Sequence, residues 1–503
     1  LKEFFGNPIT HLYTDDLNSY LDREASLPWT ERLPQIFEAR LGYSLLDHLP
    51  ALIEALPGRE EVRLDYRGLV LDLFLNEFVD PMYRWCDEHG VRFTGHLSGD
   101  EGDITKSVQR FGSAMAFYEH EHIPGIDDFL CSVSSGCYLD QLRNGQGHCP
   151  VILFKQASSV ANQLKDGACS CEVLTFLGWG ASMWGQSAFL NYELALGVNL
   201  MVHHAFSYAT GGVAKRDCPP SYFFQQPYWP QYKRFHDAIA RSTQLLTRGT
   251  YDASALVIHP MSACWTAMDG RSCSIGHPFE TGTEETLPDP RALEESLAAV
   301  SHELLKLQVG FEYGDEWLLA KHGAVKDAGL QMGAMRYTTV IIPETCNLLE
   351  TTVALLEAFQ AAGGRIIALN PARDCRVDGV VPPQAVFGDV RAAGELSLCS
   401  PLSPGARLSP EAIATPMALR ECGLTPTIEL QLEEAGAPVI SHTRVVGGRK
   451  EHYICNMSDR PQRVGWGGEW HVYDPAGDVG IFRSTGASPV GAGACGQDAS
   501  PGG

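Results

Sequence analysis

From residue 9 to about 247, short apolar runs alternate with longer amphipathic stretches, the pattern of repeated βα units around a parallel sheet. It predicts six strands: "ITHLYT" (9–14), "VRFTGHL" (91–97), "IPGIDDFL" (123–130), "PVILFKQA" (150–157), "ACSCEVL" (168–174) and "VNLMVHHAF" (198–206). Between the first two, Tyr66, Leu69, Val70, Leu73, Phe74 and Phe78 recur at helical spacing, and "EHG" closes that helix on a glycine. Six strands fall two short of a TIM-type (β/α)8 barrel. The expectation over 1–250 is therefore an α/β barrel whose N-terminal strands are missing or precede Leu1, with the six numbered three to eight.

A second unit, over 251–425, contains "ASALVIHP", "QVGFEYGDE", "YTTVIIPE" and "AGGRIIALNP", separated by helical stretches such as "LLETTVALLEAFQAAGG". This predicts an open-sheet, Rossmann-like or flavodoxin-like α/β domain, and without G-x-G-x-x-G it carries no dinucleotide signature. Beyond about residue 426 helical periodicity stops. A hairpin over Gly447-Gly448 and the strand "WHVYDPAG" predict a small β-sandwich over 426–483, and the last twenty residues, 484–503, read as a disordered tail.

Composition narrows the function. With 503 residues, 44% of them hydrophobic, the chain can fill several cores. Its formal charge of −23, uninterrupted by any Lys/Arg cluster, repels phosphate backbones and anionic lipid, so neither nucleic acid nor a membrane is expected as partner. A neutral or cationic partner fits better, and self-association into a homo-oligomer is left open. Fifteen cysteines, scattered from Cys86 to Cys495, read as free thiols of a cytoplasmic protein, with the periplasm as alternative if a leader has been removed.

In a parallel barrel, residues at the C-terminal ends of the strands line one mouth. "RFTGHL" runs into "SGDEGD", which sets His96 at a strand end and Asp100, Glu101 and Asp103 in the loop, while "ACSCEVL" delivers Glu172. Two carboxylates on opposite walls are what glycosidic cleavage needs, one to protonate the leaving oxygen and one to attack the anomeric carbon or activate water. Glu101 and Glu172 are therefore the catalytic candidates, with the three loop acids competing for the first role. A Glu inside an apolar strand is costly unless it has a task or a partner.

Alternation puts Cys169 and Cys171 on the face opposite Ser170 and Glu172, so the Cys-x-Cys reads as strand filling. His203 and His204 point to opposite sides of one strand, so one of them faces the mouth. Tyr208 and Trp229 belong to an aromatic-rich loop suited to stacking on sugar rings, and Trp179 in the Gly-Trp-Gly turn follows the Glu172 strand directly. Asp15 and Asp16, Asp127 and Asp128, and Lys155 are further strand-end candidates for substrate contact. No cofactor and no transition metal is expected, because Cys169-Ser-Cys171 and His120-Glu-His122 each supply two ligands without the rest of a set; calcium among the acids is not readable from spacing. Cys346, at a strand-to-helix turn, lacks flanking glycines and reads as a buried thiol.

The phrases "FTGHLSGDEGD", "QRFGSAMAFYEHEHIPGIDDF", "FKQASSVANQ", "CEVLTFLGWG" and "GVNLMVHHAFSYATGGVAKRDCPPSYFFQQPYW" resemble bacterial glycoside hydrolases with a (β/α)8 catalytic domain, nearest to the family 106 α-L-rhamnosidases and their relatives. The second unit resembles the glutamine-amidotransferase-like domain that follows the barrel in these enzymes and in family 42 β-galactosidases. The likeness extends to about residue 400. It implies a glycosidase removing a terminal sugar, an α-L-rhamnoside or a β-galactoside, with a catalytically inactive carbohydrate-binding or scaffold descendant as the alternative. In the corresponding clan the acid/base follows strand four and the nucleophile ends strand seven, which the numbering above assigns to Glu101 and Glu172. The clan's Asn-Glu pair is replaced here by "GDEG", and an inverting relative would use Glu172 as a base.

Overall fold

The computed structural model describes all residues except 18–26, 99–103, 129–149, 176, 213–219, 269–289, 370–374, 385, 387–396, 399–411, 415, 435–436, 458–460, 467–468, 474–479 and 484–503. The chain is a mixed α/β protein. Its N-terminal part holds five parallel strands among the described residues: β1 (His11–Leu17), β2 (Arg92–Leu97), β3 (Gly125–Asp127), β4 (Ser170–Val173) and β5 (Leu200–His203). Hydrogen-bonded ladders join β1 to β2 and β3 to β4 to β5, all parallel.

β2 and β3 lie side by side without a regular ladder. The Thr94 hydroxyl donates to the Ile123 carbonyl at 2.8 Å, and Thr94 Oγ1 meets Ser170 Oγ of β4 at 2.9 Å. Two glycines permit the close approach of β1, β2 and β3. A Cβ on Gly125 would stand 1.9 Å from the Gly95 carbonyl oxygen, and one on Gly95 would stand 2.2 Å from the Thr14 carbonyl oxygen. The strands thus follow chain order as one curved wall, with Tyr13, Thr94, Ser170 and Glu172 on its inner face. On that face Tyr13, Leu200 and Val202 are exposed, because the wall is open between β1 and β5 among the described residues.

One predicted strand is a helix. "PVILFKQA" opens the helix Pro150–Leu164, with the proline at its first turn, where its missing N–H costs nothing. This helix is wedged between the wall and the second sheet: Asn162 donates to Glu312, Gln163 to the Tyr313 carbonyl, and the Tyr313 amide donates to Ser159 Oγ. Packed on nearly all sides, it buries Lys155, Gln156, Ser158, Ser159 and Gln163 along with its apolar residues and shows no exposed polar stripe, so its first eight residues imitate a buried strand.

The second sheet has six strands in the order Ser397–Leu398, Ala412–Ala414, Arg365–Leu369, Thr339–Ile342, Ala255–His259 and Phe311–Asp315, parallel except at the Ser397 edge. Towards the C-terminus, Val439–Val446 and Arg449–Asn456 form a hairpin across Gly447 and Gly448, both left-handed. Ile428, Ala437, Val439, Ile454 and Val464 make a small core of their own between this sheet and the strand pair Gln462–Trp466 and Glu469–Tyr473.

Gly125→Ala should destabilise the protein by about 2 kcal/mol or more through overpacking against a backbone that cannot yield. Gly180→Ala, whose Cβ meets nothing within 4 Å, should stay within about 0.5 kcal/mol. Denaturant unfolding of both variants checks this; equal stabilities would refute the close approach of β2 and β3.

Candidate active site

Glu172 is the last residue but one of β4, and register fixes what surrounds it. Glu172 pairs with Asp127 of β3 on one side and Val202 of β5 on the other. Its carboxylate is met from three strands. The Tyr13 hydroxyl of β1 donates to Oε2 at 3.0 Å, His96 Nε2 of β2 lies 3.3 Å from Oε2, and His204 Nδ1, just past β5, lies 2.7 Å from Oε1. Burial alone would raise the pKa of this carboxyl, but hydrogen bonds from His204 and His96 and their electrostatic attraction outweigh it and hold it well below the usual carboxylate range. Glu172 is thus held ionised at neutral pH. Burial, with Glu172 next, drives Tyr13 the other way, so the phenol keeps its proton and stays a donor.

His96 is buried and bridges Glu172 to the end of β1, where Asp15 Oδ1 lies 3.2 Å from Nε2 and Asp16 Oδ1 lies 3.9 Å from Nδ1. Asp16 adopts a left-handed backbone, φ 54°, which turns the chain away as the strand ends. Asp15, His96 and Glu172 bring one donor atom each within 4.8 Å of one another. That is close enough in principle for one cation, but both Glu172 oxygens already face Tyr13 or an imidazole.

Asp127 is buried beside Glu172 and accepts from the Thr175 hydroxyl at 3.0 Å. Trp179 is half-buried in its turn, and its carbonyl accepts from Gln226 at 3.4 Å. Its indole nitrogen is buried with no partner among the described residues. Tyr208 is 93% exposed, and Trp229 opens a helix (Trp229–Leu246) and packs edge-on against Phe206 and Phe223.

Two expectations change, and one falls outside the described residues. Glu101, with Asp100 and Asp103, lies outside the described residues. Lys155 is not at a strand end but on the wedged helix, fully buried, with its ammonium 4.7 Å from the Tyr251 ring centroid and 5.1 Å from that of Phe311. It joins the wall to the second sheet and cannot reach a ligand at the mouth. His203 points away from Glu172 into a cluster with His236 and Tyr232, and burial takes its pKa down to about 3; of the two histidines, His204 faces the carboxylate. Cys169 and Cys171 are buried with their thiols pushed up by desolvation, as strand filling requires. The Cys346 thiol is pushed up to about 12 by burial and lies near Thr266 and the Ala263 carbonyl.

Sequence reasoning passed over Tyr13. Alternation along "HLYTDD" sets Tyr13 and Asp15 on one face of β1, a signal that was present but had no partner to give it meaning before β1 and β4 were seen to share an interior.

No family model matches the chain, and no curated protein matches it. Among solved structures it resembles a rhamnosidase from Novosphingobium sp. PP1Y, with a TM-score of 0.61 and 17% identity, over 91% of this chain and 40% of that one. It also resembles a β-galactosidase from Bacillus circulans sp. alkalophilus, with a TM-score of 0.59 and 10% identity, over 96% and 80%, and the cold-adapted β-galactosidase from Rahnella sp. R3, with 0.54 and 12%, over 91% and 77%. The chain thus spans two fifths of the rhamnosidase's length. At these identities the likeness is one of fold, and that fold is the one these glycoside hydrolases share.

Proposed function

We propose that the protein is a glycoside hydrolase that releases a terminal sugar, an α-L-rhamnoside or a β-galactoside, with Glu172 as the carboxylate that acts on the anomeric carbon. The observation that carries this is the ionised Glu172 at a strand end, held by Tyr13, His96 and His204. An anion with fixed donors on both oxygens cannot serve as the acid, but it suits attack on, or stabilisation of, a sugar ring that gains positive charge in the transition state.

The acid then comes from another strand. With 150–157 in a helix, the strand three places before β4 is β1, whose end carries Asp15 and Asp16 before Leu17. If Glu172 stands at strand seven of the clan's arrangement, β1 is strand four, where the acid/base belongs. Asp15, open to solvent, is our choice for protonating the leaving oxygen, in place of Glu101. Its donor atom lies within 4.8 Å of that of Glu172, which favours the retaining spacing of about 5–5.5 Å over the inverting range of about 6.5–9.5 Å. Glu172 then forms the glycosyl bond as the aglycone departs, and Asp15 recovers its proton from the water that releases the sugar. Asp127, Trp179, Tyr208 and Trp229 remain candidates for holding the sugar. The reading needs no cofactor and no metal, and its partner is a neutral carbohydrate, consistent with the charge of −23.

The exposed inner face between β1 and β5 supports a second reading, a barrel-derived protein that binds sugar without cleaving it. A panel of nitrophenyl glycosides separates the two. Glu172→Gln should lower kcat by about a thousandfold or more on whichever glycoside is cleaved, and Asp15→Asn should cost far more on poor leaving groups than on nitrophenol. Sugar binding without turnover on any of them would select the second reading. Turnover should survive dialysis against EDTA; its loss, restored by calcium, would show that the acids hold an ion after all.

A further inference from the structure

Immediately behind the Glu172 strand lies a second pair of carboxyl groups that the proposed reaction does not use. Asp128 follows β3 and is 1% exposed; Glu193 projects from the helix Met183–Leu196 and is fully buried. The two are in hydrogen-bonding contact. As ionised groups neither would bring a hydrogen to that contact, and both Glu193 oxygens are without a donor among the described residues. Among the described residues, the ionisable groups facing Glu193 are Asp127 at the end of β3, Asp128 just past it, and the thiols of Cys169 before β4 and Cys171 within it, none of them basic. A single proton resolves the contact.

Asp128 is also the clamp on the turn that presents Glu172. Its backbone N–H donates to the Glu172 carbonyl at 3.0 Å. Its carboxylate accepts from the Leu174 and Thr175 amides at 2.5 and 3.2 Å. Leu174 is left-handed, φ 67°, a conformation unfavourable for a branched side chain unless its surroundings impose it. The Tyr222 hydroxyl takes the other end of that peptide, donating to the Leu174 carbonyl at 2.7 Å, and the His204 amide donates to the Val173 carbonyl at 3.1 Å. From Glu172 to Thr175 the turn is thus pinned largely by Asp128.

We propose that Glu193 stays protonated and donates to Asp128, so that the two form a positioning pair that fixes the strand end carrying Glu172. The catalytic part of this inference rests on Glu172 being the reacting carboxylate; the shared proton does not. Burial and then Asp128 hold the Glu193 proton well above the usual range, while the Leu174 and Thr175 donors and Glu193 itself pull Asp128 down against its own burial. The sign follows. A carboxyl raised in the folded state keeps a proton that the unfolded chain releases near pH 4.3, so its contribution is most favourable below about pH 4.3 and declines as pH rises towards the folded value. Gln, a neutral donor of similar shape, removes that decline.

The test is the thermal midpoint of wild type, Glu193→Gln and Glu193→Leu between pH 5 and pH 8. The midpoint of E193Q minus that of wild type should grow by about 2 °C or more across this range, and a gap that stays constant or narrows overturns the shared proton. For positioning, E193L should lose at least tenfold in kcat with KM within about twofold, and E193Q should recover most of that loss. Equal kcat in E193L and wild type overturns the positioning role. The stability arm does not depend on turnover, so a chain that proves to cleave no glycoside leaves the shared proton to be decided on the pH trend alone.

Discussion

The Glu172 carboxylate, gripped by Tyr13, His96 and His204, is the interaction on which the rest of the site depends. Each donor comes from a different part of the wall, β1, β2 and the end of β5, and the farthest from Glu172 in sequence, Tyr13, is 159 positions away. Taking a carboxylate partly out of water is unfavourable, and it is sustained here because the donors come from backbone segments that the sheet already fixes. Packing and chemistry coincide at this point: the contacts that stabilise the charge also keep it unprotonated and aimed along the inner face.

The wall has the features needed to hold that arrangement. Gly95 and Gly125 let β1, β2 and β3 approach closely enough for His96 to reach both Asp15 and Glu172. Outside the wall, the helix Pro150–Leu164 buries Lys155 against Tyr251 and Phe311 and hands Asn162 and Gln163 to the second sheet. The second sheet therefore braces the back of the wall, and nothing in the resemblance of folds requires it to carry chemistry of its own.

Much of this was legible in the residues. Period-two alternation alone separated Glu172 from Cys169 and Cys171 and required His203 and His204 to face opposite ways. What escaped was whatever depends on contacts between distant segments. Tyr13 is one aromatic among many until β4 stands across from it. Asp128 and Glu193 are 65 positions apart, and an acidic residue in an apolar helix gives no sign of which carboxyl it meets. Lys155 escapes for a different reason: a helix covered on every side loses the exposed polar stripe that would identify it, and a short buried helix and a buried strand then look alike in sequence.

Carbon NMR of protein labelled at the glutamate carboxyl carbon, with the Glu172 resonance assigned from its absence in the Gln variant, tests the centre of the account most directly. An ionised Glu172 should keep a constant shift from pH 7 down to about 3.5, well past the point where an ordinary glutamate begins to protonate. A titration midpoint at or above about 4.3 would mean that Tyr13, His96 and His204 do not hold the charge, and would contradict it.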